Sequence, residues 1–150
     1  DFGGNYNVVH HSEFIQKLLD EGKLNPDKTM DGNITYHDAC YLGRHNDVYD
    51  EPRSVINSVL SEDANYIELE QSKSSSFCCG AGGGNMWHED DRGDRVNVTR
   101  MEQIIDSGAD KVATACSFCV IMMDDAMKVK GKENEMKVQD IAEIIAERLW

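Results

Sequence analysis

The stretch Lys111-Val112-Ala113-Thr114-Ala115-Cys116-Ser117-Phe118-Cys119-Val120-Ile121 decides the architecture. Lys111 to Ala115 reads as a strand. Val120, Ile121, Met123 and Met127 then recur at the spacing of one helix face, and the helix is expected to end near Gly131. Ser117 is the expected cap of that helix, its hydroxyl within reach of the amide of Cys119 or Val120. Cys116 thus sits where a strand turns into a helix, with Cys119 one turn further on.

Two more such joints lie upstream. Ile34 to His37 has the β-branched and aromatic content of a strand, Cys40 follows it, and Asp50 and Pro52 open a helix through Val55, Ile56, Val59 and Leu60. Tyr66, Ile67 and Leu69 suggest another strand. After it come the polar stretch Gln71 to Ser76, the pair Cys78-Cys79, and a helix with the stripe Val98, Met101, Ile104 and Ile105, stopped by Gly108. At the front, Ser12 is expected to cap a helix carrying Phe14, Ile15, Leu18 and Leu19 that Gly22 ends, and residues 23–32 read as loop. At the back, Glu135 to Val138 reads as a short strand, and Asp140 caps a helix whose apolar face is Ile141, Ile144, Ile145 and Leu149. Strands and helices alternate throughout, with no internal repeat or low-complexity segment. This predicts an α/β fold, a Rossmann-like parallel sheet of about four strands with helices on both faces. The 150 residues suit one domain, 1–150.

All five cysteines fall in one pattern, Cys40-x37-Cys78-Cys79-Gly80-x35-Cys116-x2-Cys119. In open α/β sheets the binding crevice lies beyond the carboxyl ends of the strands, and right-handed crossovers bring successive strand ends to the same edge. Cys40, Cys78, Cys79, Cys116 and Cys119 are therefore expected to line one cavity and to act as metal ligands. Thiolates are soft and suit iron–sulfur clusters or zinc, whereas magnesium or calcium would select carboxylates and carbonyls. In Gly80-Ala81-Gly82-Gly83-Gly84 the glycines tolerate positive φ and close backbone approach, so Gly80, Gly82 and Gly83 are candidates for turning amides toward an anionic cofactor. A plain flexible turn is the other reading of that run. Cys116 and Cys119 bracket a helix start, where the dipole favours thiolate. Met122, Met123 and Met127 read as core fillers.

The net charge is −13, with 28 acidic against 15 basic side chains. A nucleic-acid groove or an anionic membrane surface needs clustered Lys and Arg, so neither is expected as a partner. The acidic runs Glu89 to Asp91 and Glu133 to Glu135 read as solvated faces. No apolar run approaches the roughly 20 residues that span a bilayer, so direct membrane insertion by this segment is not expected. An odd number of cysteines, two of them adjacent, fits a disulfide framework poorly and a reducing compartment well, which points to the cytoplasm.

Three blocks carry a resemblance: Tyr36-His37-Asp38-Ala39-Cys40-Tyr41-Leu42-Gly43-Arg44, Phe77-Cys78-Cys79-Gly80-Ala81-Gly82-Gly83-Gly84 and Ala115-Cys116-Ser117-Phe118-Cys119. Together they resemble the CCG cysteine-rich domain of heterodisulfide reductase catalytic subunits and related iron–sulfur oxidoreductases. The final helix and His10-His11-Ser12-Glu13-Phe14 extend the likeness to nearly the whole chain. The resemblance implies a non-cubane 4Fe-4S cluster held by all five cysteines, and electron exchange with a redox partner protein or with other domains of the parent chain. Members usually carry Pro where Ser117 stands, so a looser but intact ligand turn is expected. Gly43-Arg44-His45 and Arg53 look closer to the members that link electron-transfer flavoprotein to membrane quinones, which would place the parent protein at the inner membrane. Members commonly carry two such repeats plus further modules, and this chain opens at Asp1-Phe2-Gly3-Gly4 without Met. The resemblance therefore implies a carboxyl-terminal piece of a larger oxidoreductase.

His37, Asp38, Arg44, His45, Trp87, His88, Asn97 and Arg100 also lie in matching blocks and are candidates for contacts around the ligands, none of them as a ligand. For His37 and Asp38, a hydrogen bond that merely fixes the first loop is an equal reading. Trp87 reads as a lid or packing residue, and His10 and His11 as helix-start packing and surface. No catalytic residue is assigned. Two other function classes stay open. One is a structural zinc module, four thiolates closing a tetrahedral site and the fifth spare. The other is a heterodisulfide or thiol reductase; within it, a thiol–disulfide enzyme using Cys116 and Cys119 alone has only a weak Cys-x-x-Cys signal behind it.

Overall fold

The computed structural model describes residues 3–88, 93 and 95–149, so Asp1, Phe2 and the acidic run Glu89 to Asp91 lie outside the described residues. The chain runs α1 (His11–Asp20), β1 (Asn33–His37), α2 (Gly43–Asn46), α3 (Asp50–Asn57), β2 (Asn65–Ile67), α4 (Val96–Asp106), β3 (Lys111–Thr114), α5 (Ser117–Val129), β4 (Lys137–Asp140) and α6 (Ile141–Leu149). Two 3-10 stretches, Lys73–Ser75 and Gly82–Trp87, lie between β2 and α4.

The four strands form one parallel sheet in the order β2-β1-β3-β4. Helices α1, α3 and α6 pack on one another as one layer, and α4 packs on α5 as the other. This is the expected α/β architecture, and it explains why β1 is buried from Ile34 to His37 without alternation: both of its faces are covered. Tyr36 faces the first layer, where Arg53 of α3 lies 5.3 Å over its ring. His37 points the other way, to Arg100 of α4.

Strand order fixes where a site can be. From β1 the chain leaves through α3 toward β2, and from β3 it leaves through α5 toward β4, in opposite directions along the sheet. Between the carboxyl ends of β1 and β3 the strand order switches direction and a crevice opens, which the long connection from β2 to α4 reaches.

Several local expectations are corrected. The cap of α1 is His10, not Ser12: His10 Nδ1 accepts from the Ser12 amide, and Glu13 reaches back to the His10 amide at 3.0 Å, while Ser12 is buried inside the first turn. Phe14 and Ile121 do not join the apolar faces predicted for them, and they are 52% and 53% exposed. Strand β2 ends at Ile67, so Leu69 is buried beyond it, and β4 begins at Lys137 rather than Glu135. Asp140 does cap α6, taking the Ala142 amide at 2.9 Å. Glu133 to Glu135 are exposed, and Met122, Met123 and Met127 are core.

Candidate metal centre

All five cysteines line one open cleft at the carboxyl edge of the sheet, at the crevice between β1 and β3. Cys40 stands in the loop after β1. Cys116 is the residue preceding the first turn of α5, extended at φ −152°, ψ 123°, and Cys119 is buried one turn along. Cys79 is buried and Cys78 exposed, at the end of the long crossover from β2. All five are free thiols.

One sulfur–sulfur contact joins loops that are 40 residues apart: the Cys119 thiol donates to the Cys79 sulfur at 3.3 Å. Cys116, one turn back, also acts on the Cys119 thiol and favours its protonated form. The donation from Cys119 holds Cys79 well below the ordinary thiol range, helped by His37 and the Ala81 amide, and holds Cys116 down at about 6, helped by the Cys119 and Phe118 amides. Cys119 itself is pushed far up, because its proton is held by hydrogen bonding to Cys116 and Cys79 and because burial disfavours a thiolate there, with the charges on the other two sulfurs adding to both. Cys40 is raised by burial and by the nearby Cys78 and Cys79 sulfurs. Cys78 accepts the Gly80 amide at 3.2 Å.

No side chain caps α5, so Ser117 does not play the part expected of it. The first amides of the helix act on the Cys116 sulfur instead, and Ser117 is exposed on the cleft wall. In the glycine run, Gly80, Gly83 and Gly84 adopt left-handed φ of 85°, 66° and 82°. At Gly80 a side chain would also meet the Val96 Cβ at 3.1 Å. Gly82 and Gly84 line the cleft, whereas Gly80 and Gly83 do not.

Behind the sulfurs, Asp38 anchors the Cys40 loop to the segment leading to Cys78. It takes both terminal nitrogens of Arg53, at 2.8 and 2.9 Å, and the Lys73 amide at 2.7 Å. Arg44 adds a second tie, donating to the carbonyls of Ser74 and Ser76. Asn97 joins α4 to α5 through the Met122 carbonyl at 3.1 Å. His45 only stacks near Tyr41, and His88 is exposed outside the cleft lining. Trp87 is exposed on the cleft rim, with Tyr41 and Phe118, and is not a core packing residue.

His11, expected only in packing or at the surface, and Asp140, expected only as a helix cap, share a 3.1 Å contact on the cleft wall. The available signal was that Asp140 ends a parallel strand. Among the described residues the gathered donor set is sulfur, with amides and a buried arginine behind it and no carboxylate cage, which fits a soft-metal cluster or zinc and not a hard cation.

The family profile of the CCG cysteine-rich domain matches residues 34–124, more than half of the chain. This chain is a member of the CCG cysteine-rich domain family. Its blocks around Cys40 and Cys78-Cys79-Gly80 and the Cys116-x2-Cys119 turn lie inside that match. The CCG domain is 40% identical over 147 residues to the probable iron-sulfur-binding oxidoreductase FadF of Bacillus subtilis, covering 98% of this chain and 21% of the relative. It is 43% identical over 150 residues to an EtfAB:quinone oxidoreductase of Syntrophomonas wolfei, covering 95% and 21%. To one subunit of the dihydromethanophenazine:CoB–CoM heterodisulfide reductase of Methanosarcina acetivorans it is 33% identical over 145 residues, covering 96% and 34%. The chain thus spans between a fifth and a third of these relatives' lengths. Among the described residues no helix is long and apolar enough to cross a membrane.

The sulfur electrostatics predict an order of reactivity in the metal-free CCG domain. Only thiolates alkylate, so with Cys116 lowered to about 6 and Cys40 raised, iodoacetamide at pH 7 is expected to label Cys116 well before Cys40. Labelling of Cys116 should fall away as the pH drops through about 6, where the sulfur regains its proton. Peptide mass spectrometry across pH checks both, and Cys40 reacting first would contradict the charge arrangement.

Proposed function

We propose that this CCG domain holds an iron–sulfur cluster through Cys40, Cys78, Cys79, Cys116 and Cys119 and carries electrons within a longer oxidoreductase. The observation behind this is the gathering of five sulfurs from three distant loops on one cleft, with the Cys119 thiol donating to Cys79 across two of those loops. When bound, the cluster supplies a one-electron carrier, and five thiolates suit the non-cubane 4Fe-4S type. The chain's own residues do the rest. The Ala81, Phe118 and Cys119 amides and the amide of Gly80 stabilise negative sulfur, and the left-handed Gly83 and Gly84 give the 82–87 turn its close approach to the cleft. Asp38, Arg53 and Arg44 fix the spacing of the loops.

Identities of 40% and 43% to a FadF protein and an EtfAB:quinone oxidoreductase, against 33% to a heterodisulfide reductase component, favour transfer from electron-transfer flavoprotein toward quinone over disulfide cleavage. In this reading the domain, carboxyl-terminal in its parent chain, works in the reducing cytoplasm, and any approach to the inner membrane is made by other parts of that chain. Five unpaired cysteines suit that compartment.

Anaerobic purification with iron, acid-labile sulfide and zinc quantitation, followed by a reductive titration read by electron paramagnetic resonance, tests the proposal. Iron and sulfide together, with a signal that changes on one-electron reduction, are expected. Zinc without sulfide would replace the reading with a structural zinc module.

A further inference from the structure

Arg100 is wholly buried in α4, at 0% exposure, directly behind the sulfur site. Its Nε donates to His37 Nδ1 at 3.2 Å and its Nη1 to Gln103 Oε1 at 2.8 Å, while Nη2 has no partner. Among the described residues no carboxylate pairs with it. The nearest acid that acts on it, Asp38, is already taken by Arg53. An unpaired charge in the interior costs several kcal/mol unless an opposite charge is close by. On the far side of His37 lie the sulfurs of Cys79 and Cys119.

The ring of His37 stands between them in one determined state. An arginine Nε–H can only donate, so His37 Nδ1 must be the bare, accepting nitrogen, and the neutral ring carries its proton on Nε2. His37, Cys79 and Cys119 offer ligand atoms within 4.8 Å of one another, which by distance alone resembles a three-ligand metal site. Arg100 argues against that. Metal ligation through Nε2 with Nδ1 already accepting would require both nitrogens stripped of protons, an imidazolate. His37 is thereby a donor toward sulfur and not a ligand.

We propose that Arg100 acts through His37 as a positioning pair for the sulfur site: the guanidinium fixes the ring so that Nε2–H donates to the Cys79 sulfur, and its own unpaired charge offsets the negative charge gathered on the thiolates. The part concerning a cluster rests on the function proposed above; the ring state does not. Hydrogen bonds to sulfur and nearby positive charge raise a cluster's reduction potential, because they favour the more negative reduced form.

The test uses the purified chain in two states. In the iron-loaded protein, His37→Phe is expected to lower the midpoint potential by the equivalent of a roughly tenfold change in the reduced-to-oxidised ratio, about 59 mV for one electron. His37→Gln, whose amide can still donate, should recover most of that shift, and Arg100→Met should move the potential the same way as His37→Phe. A loaded His37→Phe protein with the wild-type potential overturns the proposal. In the metal-free wild type, nitrogen-15 spectra of the histidine rings should show His37 as the Nε2–H tautomer with a slowly exchanging ring proton. An Nδ1–H tautomer, or a ring proton lost to rapid exchange, overturns the proposal even where the variants fail to load iron. If the wild type binds no iron, the function reading fails while the ring spectra still decide the pair.

Discussion

Cys79→Ala, purified anaerobically, is expected to emerge folded, colourless and nearly free of iron. The reason is position. Cys79 is the sulfur on which the other loops converge: it meets Cys119 at 3.3 Å, lies within 4.8 Å of a ring nitrogen of His37, and acts electrostatically on Cys40 and Cys116. A structural metal with four ligands is worth about 10–16 kcal/mol, so one ligand carries about 2.5–4 kcal/mol. That corresponds to two to three orders of magnitude in affinity at about 1.4 kcal/mol per tenfold. Far-UV circular dichroism should match that of metal-free wild type, because removing one sulfur leaves the surrounding core of Ile34, Met101, Met123 and Ala126 in place. The measurement is iron and sulfide per chain beside the spectrum. A Cys79→Ala protein with the wild-type iron content would remove Cys79 from the ligand set.

The location of the site was legible because three strand-to-helix joints each contained cysteine, and in a parallel sheet those joints share one edge. Strand order was not written in any local pattern. It follows from the handedness of the crossovers and from which strand edges were left to pair. Capping was misread at both helices where a hydroxyl looked like the natural acceptor. At α1 the ring of His10 lies two positions nearer the helix entrance than Ser12 does, and at α5 the sulfur of Cys116 already meets the first helix amides, the place from which Ser117 would act. Phe14 and Ile121 fit the helical period but sit beside stripes that are complete without them. Ile15 and Leu19 already pack against the core from α1, and Met122, Met123, Ala126 and Met127 already fill it from α5. Periodicity counts apolar positions; it does not say how wide the covered face is.

The contacts that hold the site from behind were the least legible. His37 and Arg100 are 63 residues apart, and Asp38 and Arg53 are joined only once β1 and α3 are packed. Their residue types were visible in the sequence, but the charge balance was not. Both arginines are buried; among the described residues one holds two carboxylates and the other none. That difference marks Arg53 as scaffold and Arg100 as a charge facing the sulfurs.

Arg53→Met is therefore expected to be the most destabilising single change among the polar residues, by about 3–5 kcal/mol. Methionine keeps much of the side-chain stem, so the loss is electrostatic and not a cavity. Arg53 gives Nη1 and Nη2 to Asp38, Nε and Nη2 to Glu68 at 2.8 and 2.6 Å, and Nη1 to the Tyr49 carbonyl at 2.8 Å. Without it, Asp38 stays buried with the Lys73 amide as its remaining side-chain contact among the described residues. A carboxylate left in that state carries its full desolvation cost. Urea unfolding of the metal-free protein reads the change as a lowered midpoint at unchanged slope. Lys17→Met, at an exposed ion pair with Glu21, serves as the control and should stay within about 0.5 kcal/mol. Asp38→Asn combined with Arg53→Met should cost less than the sum of the two single changes, because no charge is then stranded. Since Asp38 ties the Cys40 loop to the segment leading to Cys78, the iron content of Arg53→Met should fall as well. A variant as stable as wild type with iron intact would show that these loops are spaced by the sheet alone.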